Sequence, residues 1–157
     1  MTKLNHLDNS GNAIMIDVRN KETTHRVAIA TGRILMKPET CRLIKDSAIK
    51  KGDVIASARI AGIMASKKTP ELIPLCHPLN ITKIEIDFEL EEVKGTLTAK
   101  ARVETEGKTG VEIEALNAVQ VSLLTVYDMC KAVDRGMTIE NVGLSKKSGG
   151  SSGDWQR

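Results

Sequence analysis

The chain has 157 residues, 41% hydrophobic and 27% charged, the balance of one compact domain able to bury a core. Aromatics make up 2%, namely Phe88, Tyr127 and Trp155, so the core must be aliphatic and a binder that stacks bases on aromatic platforms is disfavoured. A net charge of +3 falls short of a polybasic nucleic-acid tail and suits a small anionic substrate if the lysines gather in one place.

Residues 1–13 are polar, with Asp8, Asn9, Ser10, Gly11 and Asn12 favouring turns, and are expected to form a flexible lead-in without the apolar core of a signal peptide. Residues 24–36 are rich in β-branched side chains and predict a strand, with a phase shift and bulge at Gly32. Pro38 suits the first position of a helix over 37–50, and Asp53 is a fitting N-cap for a second helix to about Lys67. Pro70, Pro74 and Pro78 then break the chain into a loop over 69–80.

From Ile81 to Val103 the alternation is strict. Ile84, Ile86, Phe88 and Leu90 alternate with acidic residues, and Leu97, Ala99, Ala101 and Val103 with polar ones after a turn at Lys94-Gly95, which predicts an antiparallel hairpin. Its glutamate-rich outer face reads as solvated. Leu116, Val119, Leu123, Val126, Cys130 and Val133 keep helical spacing over 114–135, with a partly apolar opposite side. A strand over 137–144 follows, and the serine- and glycine-rich residues 148–157 are expected to be flexible. Mixed strands and helices around a dominant hairpin give an α+β class, with a ferredoxin-like two-layer sandwich as the natural form: an antiparallel sheet packed by helices in a single catalytic domain.

Four groups of residues carry polar chemistry that a bare fold does not need. Leu75-Cys76-His77-Pro78 sits in the proline-rich loop. Adjacent Cys and His rarely ligate one metal, so no metal site is assigned, and His77 is read either as catalytic or as a structural ring donating to a backbone carbonyl. Glu112-Ile113-Glu114 opens the long helix. Its carboxylates are either partners of the helix dipole or, if the chain is extended there, a pair pointing to one side and suited to the N–H edge of guanine. Asp128 and Lys131 lie one turn apart in an apolar stretch, where a buried ion pair implies acid/base work. Lys50-Lys51-Gly52-Asp53 and Lys146-Lys147-Ser148-Gly149-Gly150 are lysine-bearing turns of the kind that hold phosphates, although exposed lysines in turns are common.

Cys41, Cys76 and Cys130 form no C-x-x-C pair, which reads as reduced thiols in an intracellular protein. No apolar run approaches the ~20 residues that span a bilayer, so a cytoplasmic location is expected. Glu114 and Asp128 are 14 residues apart, roughly 20 Å along one helix. One subunit does not bring both to a small-molecule pocket, so if both are functional the site is shared and an oligomer is expected.

The segments Pro74-Leu75-Cys76-His77-Pro78-Leu79, Gly110-Val111-Glu112-Ile113-Glu114-Ala115-Leu116 and Thr125-Val126-Tyr127-Asp128-Met129-Cys130-Lys131-Ala132 occur in this order after a Lys-Lys-Gly-Asp turn. With them the chain resembles molybdenum cofactor biosynthesis protein C, the cyclic pyranopterin monophosphate synthase family, from Asp17 through Lys147. The resemblance implies a ferredoxin-like subunit in a hexamer built as a trimer of dimers, with pockets at the dimer interface. It implies a lyase that converts 3′,8-cyclo-7,8-dihydroguanosine 5′-triphosphate, received from a radical GTP cyclase, to cyclic pyranopterin monophosphate and pyrophosphate. By matching motif, Asp128, Lys51 and Lys131 would be catalytic. Leu75, Cys76, His77, Glu112, Ile113, Glu114 and Lys147 would contact substrate. No cofactor is required on this resemblance, the sequence leaves open whether magnesium accompanies the triphosphate, and neither nucleic acid nor membrane is an expected partner. Two other readings remain open: a nucleotide-binding regulatory module without turnover, and a metal-dependent hydrolase built on Cys76 and His77.

Overall fold

The β-branched run at residues 24–35 hydrogen-bonds on both sides and becomes an inner strand. The computed structural model describes residues 6–151 and 153–157. In chain order its elements are β1 (Thr24–Leu35), α1 (Pro38–Lys45), α2 (Val54–Lys67), α3 (Thr69–Leu72), β2 (Ile81–Glu91), β3 (Thr96–Gly107), α4 (Glu112–Cys130), β4 (Thr138–Ser148) and β5 (Trp155–Gln156). The strands form one antiparallel sheet in the order β2-β3-β1-β4-β5. Without the two-residue β5, the βαββαβ connectivity is that of the ferredoxin-like sandwich expected from the sequence.

The hairpin pattern is realised in register. Ile86 pairs with Ala101, Phe88 with Ala99 and Leu90 with Leu97, and Ile86, Leu97, Ala99, Ala101 and Val103 are buried. On the opposite face Glu85 stands across from Arg102 and Asp87 across from Lys100, so the acidic alternation is answered by bases on the neighbouring strand. Helix α2 begins where Asp53 accepts the Ala56 N–H at 2.9 Å, and it lies beside α4 against the buried face of the sheet. A Cβ on Gly62 would come within 2.2 Å of Ser122 Oγ, 2.6 Å of Ile86 Cδ1 and 2.8 Å of the Ala118 carbonyl oxygen. The small-residue run of α2 therefore permits the close helix contact, which is tied further by Ser122 donating to the Ala58 carbonyl and Asn117 to that of Ala65.

The phase shift expected at Gly32 is not there. Ala28, Ala30, Gly32 and Ile34 share one buried face, and the register against β3 runs through Gly32 unbroken. The bulges lie in β4, which takes three steps where β1 takes two (Thr31 to Arg33) and two where β1 takes one (Ile29 to Ala30). Asn141, with φ 54°, sits in the first of them. The absence of a side chain at Gly32 serves packing instead, since a Cβ there would meet Val142 of β4 at 2.7 Å and Val119 of the crossing α4 at 2.9 Å.

Helix α1 stops at Lys45, short of the expected Lys50, because the chain reverses through Ser47 at φ 54°. The loop expected over 69–80 contains the one-turn α3. Helix α4 starts two residues earlier than expected, at Glu112, and ends at Cys130 rather than Arg135. There Asp134 draws the chain aside by accepting the N–H of Lys37 at 2.8 Å and of Gly136 at 3.1 Å. In the lead-in, Asp8 closes a turn through the N–H groups of Ser10 and Asn12; the rest of that expectation, on residues 1–5, lies outside the described residues. In the tail expected to be flexible, Trp155 and Gln156 pair with Lys147 and Lys146 of β4.

Candidate active site

Helix α4 carries candidate site residues at both ends. At its C-terminal end Asp128 receives two lysines. Lys131, just past the helix, reaches Asp128 Oδ1 at 2.7 Å. Lys51 comes from the turn before α2, which Gly52 closes at φ 103°, and reaches Asp128 Oδ2 at 2.9 Å. Lys51 also donates to the Asp128 backbone carbonyl at 2.9 Å, one of the carbonyls that a helix leaves unpaired at its C-terminus. Lys131 and then Lys51 hold the Asp128 carboxyl down at about 2, and Asp128 in turn raises Lys131.

This cluster corrects one expectation. Asp128 and Lys131 are not a buried pair: their side chains are 56% and 53% exposed, and Lys51 is 47% exposed. In the last turn of α4 Met129 and Cys130 are buried in the core, whereas Asp128 falls on the outward side, four residues on from the exposed Leu124, so the apolar run of the sequence overstated its burial. What sets this carboxylate apart is the closure of two ammonium groups on it, which outweighs a minor desolvation.

At the N-terminal end of α4 lies a cavity of about 210 Å³ lined by Leu75, Cys76, His77, Glu112, Ile113 and Glu114 among others. All six predicted contact residues of the loop and helix start are brought together. The loop is held at its end by Thr105 Oγ1 donating to the Asn80 carbonyl at 2.6 Å. His77 Nε2 lies 2.7 Å from the Ile16 carbonyl oxygen, which is the structural role read from sequence, on a ring that nonetheless lines the cavity. Glu112 and Glu114 meet there through the first turn of a helix and not, as considered above, along an extended strand. Glu114 is 3% exposed. Desolvation lifts its carboxyl to about 7, with the neighbouring Glu112 adding to the effect. Burial, then the charge of Glu114, raises the Cys76 thiol, which keeps it a thiol and not a nucleophilic thiolate.

A second pocket, about 220 Å³, adjoins the first through Lys21, Thr109, Gly110 and Glu112 and is rimmed by Arg26, Lys108 and Lys147. Lys147, on β4, reaches Glu112 Oε1 at 3.2 Å. Arg26 is only 8% exposed. Its guanidinium donates to the carbonyls of Gly107, Gly149 and Lys108 at 3.2, 3.3 and 3.4 Å. These are neutral acceptors, which satisfy the guanidinium's donors without neutralising its charge. The sequence reading passed over Lys21, Arg26 and Lys108. For Arg26 a signal existed: it shares the phase of Ala28 and Ala30 on β1, a charge on the buried face.

The two ends do not meet in one subunit. Glu114 and Asp128 lie on the same uninterrupted helix, Glu112–Cys130, which keeps them roughly 20 Å apart. Among the described residues no three His, Cys, Asp or Glu side chains group as a metal site would require, and no helix is long and apolar enough to cross a membrane.

The sequence matches the family described as MoaC over residues 15–150. The chain belongs to the MoaC family. A relative from Thermomicrobium roseum, named cyclic pyranopterin monophosphate synthase, is 57% identical over 157 residues, covering 100% of this chain and 95% of that protein. The span matched to the MoaC family contains Lys51, Asp128 and Lys131, the six cavity residues named above, and Lys147.

Proposed function

We infer that this chain is a cyclic pyranopterin monophosphate synthase, a lyase acting in molybdenum cofactor biosynthesis. It converts 3′,8-cyclo-7,8-dihydroguanosine 5′-triphosphate to cyclic pyranopterin monophosphate and releases pyrophosphate. The observation that carries the reading is the closure of Lys51 and Lys131 on the single Asp128 carboxylate, at 2.9 and 2.7 Å, in a chain of this family.

Rearranging a purine-derived ring into a pyranopterin moves protons at several atoms, which calls for several titratable groups and not for one nucleophile. A carboxylate held ionised near 2 raises Lys131 and aims both ammonium groups, so Lys51 and Lys131 serve as the acids and, once a proton is given, as bases. In the second stage a sugar hydroxyl attacks the α-phosphorus. The new O–P bond forms as the bond to the β-phosphate oxygen breaks, and that oxygen leaves with pyrophosphate. Charge builds on the leaving group, and preorganised cations stabilise it.

The remaining roles follow from chemistry. Glu112 and Glu114 accept N–H groups of the base, with Leu75, Cys76, His77 and Ile113 walling its pocket. Lys147, Lys21, Arg26 and Lys108 take the phosphates. Because the base and phosphate pockets and the Asp128 cluster lie at opposite ends of α4, one complete site takes its halves from two copies. A hexamer built as a trimer of dimers satisfies this. The exposed Ile60 and Met64 of α2 and Leu124 of α4, at 57%, 53% and 57%, are apolar surface available for such contacts. The substrate comes from a radical GTP cyclase, and the reading places the enzyme in the cytoplasm.

Purified protein incubated with the cyclised dihydro-GTP should release pyrophosphate in step with a product that oxidises to a fluorescent pterin. Tight binding with neither product would move the chain to the regulatory, nucleotide-binding reading.

A further inference from the structure

The cavity at the N-terminal end of α4 is walled on one side by the irregular segment ahead of β1, through Ile16, Val18 and Lys21. Two side chains from the body of the subunit reach carbonyls of this segment: Lys108 Nζ donates to that of Arg19 at 2.7 Å, and His77 Nε2 lies 2.7 Å from that of Ile16. The second contact has a chemical consequence. A carbonyl oxygen only accepts, so Nε2 carries the proton, and the neutral ring then holds Nδ1 as a bare acceptor. Among the described residues Nδ1 has no partner. The ring lines a cavity that also holds Glu112 and Glu114, acceptors when ionised, beside the donors Lys21 and Thr109, and the side formed by His77 and the glutamates suits a ligand edge rich in donors.

We propose that the Ile16 carbonyl fixes His77 in the Nε2-protonated tautomer, so that Nδ1 accepts a hydrogen bond from an N–H of a guanine-type base. Ile16 is then a positioning residue acting through the imidazole, and the segment ahead of β1 takes part in base selection. This rests on the reading of the cavity as the base pocket. It adds a definite polarity: the ring of His77 reads a donor, so a base presenting an acceptor at that point is disfavoured by two facing lone pairs.

The test is the 15N spectrum of the ring nitrogens in the full-length protein at mildly alkaline pH, where free imidazole is neutral. The chain has three histidines, and His77→Gln assigns the resonance by difference. The expected result is a protonated Nε2 and an unprotonated Nδ1 whose resonance moves when GTP is added. Gln keeps a donor near the Nε2 position and lacks an acceptor at Nδ1. His77→Gln should therefore bind GTP roughly tenfold more weakly, the size of one lost hydrogen bond, and bind inorganic pyrophosphate as the parent does. A protonated Nδ1 in the free protein overturns the proposal, as does an unchanged GTP affinity or a loss shared equally by pyrophosphate. None of these readouts needs turnover. A protein that binds GTP in this way yet releases no pyrophosphate from the cyclised substrate would fail the proposed function and leave this inference standing.

Discussion

Glu114 stands in the first turn of α4 and Asp128 in the last, so the buried carboxyl lifted to about 7 and the exposed one held near 2 belong to one helix yet face different surroundings. Glu114 is desolvated at the floor of a cavity; Asp128 is clamped by two ammonium groups in half-exposed space. Environments that push two carboxyls apart in pKa fit them for different work: Glu114 for reading a base edge, Asp128 for holding acids in place.

Asp128→Asn keeps the shape and removes the charge that aims Lys51 and Lys131. Pyrophosphate release should fall by at least about a hundredfold, the scale of lost acid–base catalysis. The melting temperature should stay close to the parent's, because exposed ion pairs contribute little to stability. Parallel activity and calorimetry measurements check this, and a folded Asn variant with parent activity would remove Asp128 from the centre.

Glu114 makes stability depend on pH in a defined window. Its carboxyl rises from the usual 4.5 to about 7 on folding, so ionising it costs more in the native state than in the unfolded chain. The stability associated with the neutral form is fully present below about 4.5 and is lost as the pH climbs to about 7. The full difference is up to about 3 kcal/mol at 1.36 kcal/mol per unit. Glu114→Gln should flatten that part of the stability curve in urea titrations run across the window, leaving it more stable than the parent at neutral pH.

Gly62→Val should be strongly destabilising, by about 3 kcal/mol or more, since its branched side chain must displace Ser122, Ile86 and the backbone of α4. The midpoint of thermal or urea unfolding reads the effect directly. A neutral outcome would mean that the α2–α4 contact is looser than it stands here.

Arg26→Met separates an anion-binding role from a structural one. Methionine occupies much of the aliphatic stem's volume and removes a nearly buried charge that donates to three carbonyls. Affinity for pyrophosphate, measured by calorimetry, should drop about tenfold or more while the unfolding midpoint holds or rises. A guanidinium present only to tie the loop would reverse the two results.

Local chemistry made much of the fold legible in the sequence. The alternation from Ile81 to Val103 fixes which faces of β2 and β3 are buried, and Asp53 and Pro38 mark helix starts through groups that act within a few residues. What escaped depends on distant partners. Gly32 reads as a bulge until α4 is seen crossing it, and Asp128 reads as buried until it is seen on the outward side of a turn whose Met129 and Cys130 are buried. Lys51 has no sequence neighbour that would pair it with Asp128, 77 residues away, and only the family resemblance joined them beforehand. Arg26 was detectable as a charge in the buried phase of β1, whereas Ile16 sits in an irregular segment with no periodicity to expose it.

On the proposed function, one active site takes Asp128 with its lysines from one copy and the base pocket from another. Mixing inactive Asp128→Asn subunits with inactive Glu114→Ala subunits tests it, after unfolding and refolding together. In a two-fold dimer assembled at random, half the dimers are mixed, and each mixed dimer holds one site with both residues intact. About a quarter of the parent's pyrophosphate release should return. If each site lay within a single chain, every site would carry one defect and the mixture would remain as inactive as its parts.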